Sequence, residues 1–403
     1  MNAHDSRFEA GIKRDQLLAL HDYAARFFRT QIPRSWVPGY LAGRGIDLNV
    51  QRRWHVGYAP AGRDTLTHHL RAAGFNDSLI VAGGLARQSQ RGVLTDTFRD
   101  RAMIPIRSPN GTIIAFIGRA PGHARVDTPK YMNSPATAIY RKGDVLLGLP
   151  GARPALENGA VPVIAEGPLD VMAIAFADRH RYAPVAPCGT ALTSRQVSSL
   201  SQACDLRSTG VLVAFDGDDA GRRAAINAYH LLSPLTDRIA TASLPAGSDP
   251  AQILRDHGPA ALAELLTRSR LPLADLVIDA EIDKWSRWLS FAEGQIGALR
   301  ASAPVIAAMP PRDVGRQVAR LAQRLSLDHA TVTEAVTDAL TQLVSGECPH
   351  RSRAATRPCT LDFPDGAQDL TAAVVPKAVP APEARPRAAG TDRAGLGAGR
   401  VLR

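Results

Sequence analysis

Three short acidic segments hold the side chains whose types and spacing suit them for chemistry. They are Glu166-Gly167-Pro168-Leu169-Asp170, Asp216-Gly217-Asp218-Asp219-Ala220-Gly221, and Asp249-Pro250. Each follows a short apolar run that reads as a β-strand. In open α/β sheets ligands bind beyond the carboxyl ends of the strands, so Glu166, Asp216, Asp218 and Asp249 are expected on one patch, with Asp170 as a further candidate. Carboxylates gathered in one place repel each other and raise one another's pKa. A hard divalent cation, Mg²⁺ or Mn²⁺, removes that conflict because it prefers oxygen ligands. The D-x-D spacing of Asp216 and Asp218 presents two carboxylates to one ion or to an ion pair. That arrangement suits two-metal phosphoryl transfer, in which one ion activates the attacking oxygen and the other steadies the leaving group. Glu166 is the candidate general acid/base, or a further metal contact. Gly167, Gly217 and Gly221 leave room for backbone and phosphate to approach. Acidic residues after strands are also common helix N-caps, and for Asp170 or Asp219 alone that is the expected role. It does not account for E-G-x-x-D and D-G-D-x-A-G together, about 50 residues apart and each behind an apolar strand.

These segments need a scaffold, and the surrounding pattern supplies one. Val161–Ala165 reads as a strand, 168–180 as a helix, 184–187 as a strand, 193–203 as a helix, Val211–Phe215 as a strand, 220–232 as a helix, and 239–244 as a last strand. This βαβαβαβ order is the signature of a largely parallel sheet with helices on both faces. Upstream, 15–28 has helical periodicity and Pro33 breaks it. A short helix is expected through 37–41, and another over 64–74, closed by Gly74. Met103–Ile106 and Thr112–Ile117 flank an Asn110-Gly111 turn and read as a β-hairpin. Residues 250–345 read as helices with breaks at Pro272, Pro304 and Pro310-Pro311. Residues 1–14 are a polar, flexible arm. Residues 346–403 are rich in Ala, Pro, Arg and Gly and are expected to be disordered.

Composition narrows the class. The 403 residues hold 48 Lys and Arg against 38 Asp and Glu, a net charge of +10. That excess favours a polyanionic partner, although part of the arginine content reads as coding bias. No apolar stretch is long enough to span a membrane, and Met1–Arg14 has no apolar core for a secretory signal. A cytoplasmic location is expected. Cys188, Cys204, Cys348 and Cys359 form no C-x-x-C pair, so neither a zinc site nor a disulfide framework is expected.

The acidic motifs resemble the two signatures of the TOPRIM domain, which is shared by DnaG-type primases, topoisomerases and some nucleases. The segment before them is similar to bacterial DnaG-type primases in particular. Asp96–Ile106 resembles their D-x-F-R-x-R-x-M-F-P-I block. Gly118-Arg119 followed by Pro129-Lys130-Tyr131-Met132-Asn133-Ser134-Pro135 resembles their G-R…P-K-Y-x-N-S-P block. Tyr40–Gly45, Gly57–Pro60, Ala82–Leu85, Tyr140–Gly143 and Leu147–Leu149 continue the likeness, which covers roughly 15–345.

The resemblance implies a TOPRIM sheet at 156–262, preceded by a mixed α/β basic subdomain at 15–155 and followed by a helical subdomain at 263–345. It implies synthesis of short RNA primers from ribonucleoside triphosphates on single-stranded DNA, with Mg²⁺ or Mn²⁺. Arg44, Arg99, Arg101, Arg119, Lys130 and Lys142 fall where the family handles template and nucleotide. Arg44 and Arg101 are equally suited to structural ion pairs, and Tyr131 is expected to pack in the core. The family's N-terminal zinc ribbon is not matched, so choice of start site either is weakened or rests on a separate zinc-domain protein. Residues 346–403 read as too polar and proline-broken to fold as the family's helicase-binding helical domain, which argues against direct docking on a replicative helicase. Relatives often read D-P-D where this chain reads Asp249-Pro250-Ala251, so one metal contact is missing. Two other readings fit the acidic motifs: a TOPRIM nuclease, and a non-catalytic DNA-binding accessory protein of a plasmid, phage or integrative-element replication complex.

Overall fold

The computed structural model describes residues 13–125, 127–187, 189 and 191–345. The expected tail, and the expected arm up to residue 12, lie outside these residues, as do Cys188, Cys348 and Cys359. Arg14 already opens the first helix. Cys204 is a free thiol. Among the described residues no helix is long and apolar enough to cross a membrane.

The first part of the chain packs helices on a small antiparallel sheet. Helix α1 (Arg14–Thr30) buries Leu17, Leu20, Ala24, Phe27 and Phe28 on one stripe. Helices α2 (Val37–Ala42) and α3 (Leu48–Arg53) lead into strand β1 (Gly57–Ala59). Helices α4 (Thr65–Ala72) and α5 (Asp77–Ala82) and the ribbon of β2 (Ala86–Gln88) and β3 (Leu94–Asp96) follow. Asp96, at the end of β3, accepts hydrogen bonds from the Leu66 and Thr67 amides and so ties the ribbon to the start of α4. Strands β4 (Arg101–Arg107) and β5 (Ile113–Arg119) form the hairpin that the apolar runs and Asn-Gly turn predict, with Ile104 opposite Ile117. Gly111 takes φ +83°, the left-handed conformation that such a turn requires of a residue without a Cβ. Strand β6 (Tyr131–Asn133) completes the order β1-β4-β5-β6.

The second part is a six-stranded sheet. Its strands are β7 (Leu146–Leu147), β8 (Val161–Ala165), β9 (Tyr182–Pro187), β10 (Val211–Ala214), β11 (Ile239–Ala242) and β12 (Arg270–Pro272), in the order β12-β11-β10-β8-β9-β7. The four central strands are parallel, as the βαβ pattern predicts. The two edges, β7 and β12, run antiparallel. Neither edge is legible in the sequence, because two or three residues carry no period. The connecting helices are α6 (Leu149–Glu157), α7 (Pro168–Asp178), α8 (Ser194–Ser201), α9 (Leu206–Thr209), α10 (Asp219–Leu232) and α11 (Pro250–Arg268). Helix α11 kinks at Gly258, where φ is +83°.

The third part is helical: α12 (Leu273–Asp283), α13 (Ala292–Ala307), α14 (Pro311–Leu325) and α15 (His329–Ser345). Leu299, Ile306, Leu321, Leu325 and Val332 form its core. The expected breaks at Pro272 and Pro310 hold, each proline preceding a helix. The break expected at Pro304 does not occur, since α13 runs through it. Pro304 sits in the last turn, so only one backbone hydrogen bond is lost before the helix ends anyway.

Candidate active site

The acidic segments converge because their strands end level. Ala165 of β8 stands opposite Ala214 of β10, which places Glu166 and Asp216 one and two residues beyond a shared rim. The Asp216 amide donates to Glu166 Oε1 at 3.0 Å, so the first motif is fastened to the second. Asp218 caps α10, its Oδ1 accepting the Gly221 amide at 2.8 Å. Gly221 has to be glycine here: a Cβ would stand 2.2 Å from the Asp216 carbonyl and 2.8 Å from Glu166 Oε1. The third motif joins through backbone. The Gly217 amide donates to the Ser248 carbonyl at 3.4 Å, and the Gly247 amide donates to the Gly217 carbonyl at 3.3 Å. Asp249 then caps α11, accepting the Gln252 amide at 2.6 Å.

Asp170 lies beneath the rim and is 7% exposed. One of its oxygens accepts the Gly167 amide at 3.1 Å and the other the Ala251 amide at 3.3 Å. Both oxygens therefore face backbone donors at the starts of α7 and α11. The geometry makes Asp170 a staple between two motifs. Ala251, the position at which relatives often have a second acid, is one end of that staple.

The electrostatics follow from the crowding. Burial, then the charges of Glu166, Asp249 and Asp218, push the Asp216 carboxyl up to about 6. Burial, helped by Asp249 and Asp216, pushes Asp170 up to about 8. Glu166 is raised as well, chiefly by burial, with Asp218 and Asp249 adding to it. The cation acting against this on both Glu166 and Asp216 is Lys130, from the first part of the chain. Asp216 Oδ1 is buried and has no hydrogen-bond partner among the described residues. Glu166, Asp216, Asp218 and Asp249 thus share an edge, but among the described residues no three Asp, Glu, His or Cys side chains form a ready ion cage. Asp218 and Asp249 each give an oxygen to a helix cap, which spreads the set.

The basic candidates divide into two kinds. Arg101 is 4% exposed and its Nη1 donates to the carbonyls of Gly118 (3.1 Å) and Pro129 (3.0 Å). Arg119 is 5% exposed; it donates to Tyr40 Oη and lies over the rings of Tyr40 and Tyr131, 5.4 and 4.9 Å from their centroids. These two brace β5 and β6. Arg44 is half-buried and also lies over the Tyr40 ring, 5.6 Å from its centroid. Arg99 and Lys130 are exposed, and Lys142 is half-buried beside Gly189. Tyr131 packs as expected, and burial together with the nearby Asp170 charge raises its hydroxyl pKa, although Arg119 opposes this. Sequence reasoning missed Tyr40 as the partner of Arg119, and Asn133, whose buried Oδ1 has no partner among the described residues. Both lie in blocks singled out in the sequence, but their spacing gave no sign of these contacts.

Comparison with known proteins agrees with this architecture. Residues 27–153 match the family model "DNA primase catalytic core, N-terminal domain", and residues 163–254 match "Toprim-like". The chain is 34% identical over 299 residues to the DNA primase of Mycobacterium tuberculosis, covering 73% of this chain and 46% of that protein. It is 36% identical over 315 residues to the DNA primase of Pseudomonas putida, covering 75% and 46%. It therefore spans about half the length of the curated relatives it matches. The RNA polymerase domain of M. tuberculosis primase DnaG, solved in complex with a double-stranded DNA oligomer with an overhang, superposes with a TM-score of 0.64 at 32% identity, covering 78% of this chain and 99% of that one. A mixed α/β fold with these two matched modules, and a solved catalytic domain covered almost end to end, places the chain in the family of bacterial DnaG-type DNA primases, in the region of their catalytic core.

Proposed function

We propose that the chain synthesises short RNA primers on single-stranded DNA, joining ribonucleoside triphosphates by metal-dependent nucleotidyl transfer in the cytoplasm. The observation that carries this reading is the acidic rim of Glu166, Asp216, Asp218 and Asp249, whose opposing cation, Lys130, comes from the primase-specific first part of the chain. The donor set suits Mg²⁺ or Mn²⁺: all of its atoms are carboxylate oxygens, one of them buried without a partner, and their mutual repulsion is relieved by positive charge. Because no three form a cage, an ion held here would keep water ligands and use few protein oxygens, as Mg²⁺ commonly does. Asp216 and Glu166 would hold it, with Asp218 and Asp249 on the outer side and Asp170 positioning the rim. When bound, the ion supplies charge neutralisation at the transferring phosphate and a more acidic 3′-hydroxyl.

The chain's own groups do the rest. Glu166 has one oxygen fixed by the Asp216 amide and the other available to take the hydroxyl proton. Lys130, Lys142 and Arg99 hold phosphates of nucleotide and template, while Arg44 borders the same surface. The 3′-oxygen bonds to the α-phosphorus, the α–β bridging bond breaks, and pyrophosphate leaves with the electron pair.

The test is a priming assay on single-stranded DNA with labelled nucleotides, with and without a zinc-domain protein and a replicative helicase as partners. Asp216→Ala should abolish synthesis and leave DNA binding intact. Undiminished synthesis by that variant would overturn the assignment, and NTP-independent cutting of DNA would point to a nuclease instead.

A further inference from the structure

A cavity of about 250 Å³ lies at the seam between the first part of the chain and the six-stranded sheet, away from the acidic rim. Trp54, Pro105 and Arg107 form one wall, with Arg53 beside them. The start of β9 and the first turn of α6, including Pro150 and Gly151, form the other, and Arg179 joins the lining from the end of α7. Tyr182, in the lining, stands level with Val161, at the opposite end of the parallel strands from Glu166. Five residues of strand separate the two levels, about 16 Å at the usual rise. From the Tyr182 level the lining rises along β9 to Leu147, which pairs with Ala186, and none of the lining residues belongs to the acidic motifs.

The lining is chemically two-sided. Trp54, Pro105, Leu147, Pro150 and Tyr182 offer flat or apolar surface. Three arginines from three different elements surround it, and no carboxylate lines it. Arg107 gives one hydrogen bond to the Gly111 carbonyl, which leaves most of its donors unused. Arg53 and Arg179 are exposed. Arg29 adds to the positive field, since it and Arg107 both press the nearby His55 toward its neutral form after burial has done so. The acidic group that reaches Arg107 is Asp22, and it is already paired with Arg26 at 3.0 Å. Unpaired guanidinium groups around an aromatic, apolar recess match a flat ring carrying phosphates. The volume, about 250 Å³, falls just below the usual small-ligand range of roughly 300–1,000 Å³, so the recess suits a base and sugar with the phosphates outside it among the exposed arginines, and not an oligomer.

We propose that this seam cavity is a second nucleotide site, binding a free nucleoside polyphosphate without a metal ion, its base against Trp54 and its phosphates among Arg53, Arg107 and Arg179. The site is independent of the reading of the acidic rim.

The test is calorimetric titration of the full chain with ATP, adenosine and inorganic tripolyphosphate in EDTA, where metal-dependent binding at the rim is silent. ATP should bind at one site at least tenfold more tightly than either fragment. The Arg53→Glu/Arg179→Glu double variant, altered only at exposed positions, should lose at least tenfold in affinity. Gly151→Phe provides a plug, because a Cβ at Gly151 meets nothing within 4 Å. It should abolish binding with the fold intact by circular dichroism. Asp216→Asn should bind ATP as the parent does. The proposal is overturned if ATP does not bind in EDTA, if tripolyphosphate binds as well as ATP, or if the double variant or the plug binds unchanged.

Discussion

Asp216 Oδ1 sits buried with no donor among the described residues, beside Glu166 and within the field of Asp249 and Asp218, and this placement has a thermodynamic consequence. With the metal withheld, the folded chain keeps a proton on Asp216 up to about pH 6 and on Asp170 up to about pH 8. The unfolded chain releases both near pH 4. Between those limits the folded state binds more protons, so stability falls as pH rises, first through the Asp216 value and then through the Asp170 value. Buried His21, pushed down to about 4, acts in the opposite sense below pH 6.5, so the clean window lies above it: urea midpoints in EDTA should drop from pH 7 to pH 8.5 as Asp170 titrates, and excess Mg²⁺ should flatten the slope. Asp216→Asn should recover about 1 kcal/mol at the high-pH end, a figure discounted for the partial exposure of the group. A midpoint in EDTA that is level across this range would contradict the crowding. Gly221 offers a second test at the same scale. A methyl group there collides with backbone at 2.2 Å, which no side-chain rotation relieves. Gly221→Ala should force the start of α10 off the rim, at about 1–3 kcal/mol of stability and roughly a hundredfold or more in kcat, since a displacement near 1 Å has that effect on catalysis. Wild-type turnover in this variant would show that the close approach is not needed.

Among the elements, β5 and β6 are where the first part of the chain meets the acidic rim, and two arginines hold them. Arg101 ties the Gly118 carbonyl on β5 to the Pro129 carbonyl just before Lys130. Arg101→Met keeps most of the volume and removes both hydrogen bonds, untying the Pro129 segment from β5. A loss of about 1–3 kcal/mol in stability is expected, together with a several-fold rise in KM for nucleotide as Lys130 loses its fixed position. An unchanged KM would show that Lys130 is placed by something else. Much at this scale was legible in the sequence. Val161–Ala165 and Val211–Phe215 are uninterrupted apolar runs followed by Gly-rich acidic turns, a pattern that defines both the strand and the end at which its carboxylate emerges. The contacts that decide individual roles were not legible. Tyr40 and Arg119 are 79 positions apart, and only the packing of α2 against β5 makes them neighbours. Asp170 and Ala251 are 81 apart, so the sequence could offer Asp170 as a cap or a ligand but could not show that both its oxygens face amides. Pro304 was misread for a related reason: proline marks a local preference, and the core around Leu299 and Ile306 keeps the helix going to its end.

For the molecule as a whole, the net charge of +10 is not spread evenly. Arg316, Arg320 and Arg324 on α14 are matched by Asp275, Asp279 and Asp283 at the same four-residue spacing on α12, and Asp283 also pairs with Arg222 of α10. These guanidinium groups hold the helical part together and lock it to α10, the helix that Asp218 caps, so they contribute little to attracting a polyanion. The cation shown acting on the acidic rim is instead Lys130, and Arg99 and Lys142 are the further cations proposed to hold phosphate. Each phosphate neutralised on a single strand releases counterions and adds about −0.7 to the slope of log K against log salt concentration. If these three carry the template contact, single-stranded DNA should bind with a slope near −2. Lys130→Ala should make that slope shallower by about 0.7, weakening binding by a similar factor on every sequence because phosphate contacts read no base. Arg316→Ala removes the same formal charge from the paired ladder, and its slope should remain that of the parent chain. Equal effects from the two substitutions would mean that binding follows net charge and that the groove beside the rim has no special part in it. A change confined to Lys130→Ala would locate the template on the surface that faces Glu166 and Asp216.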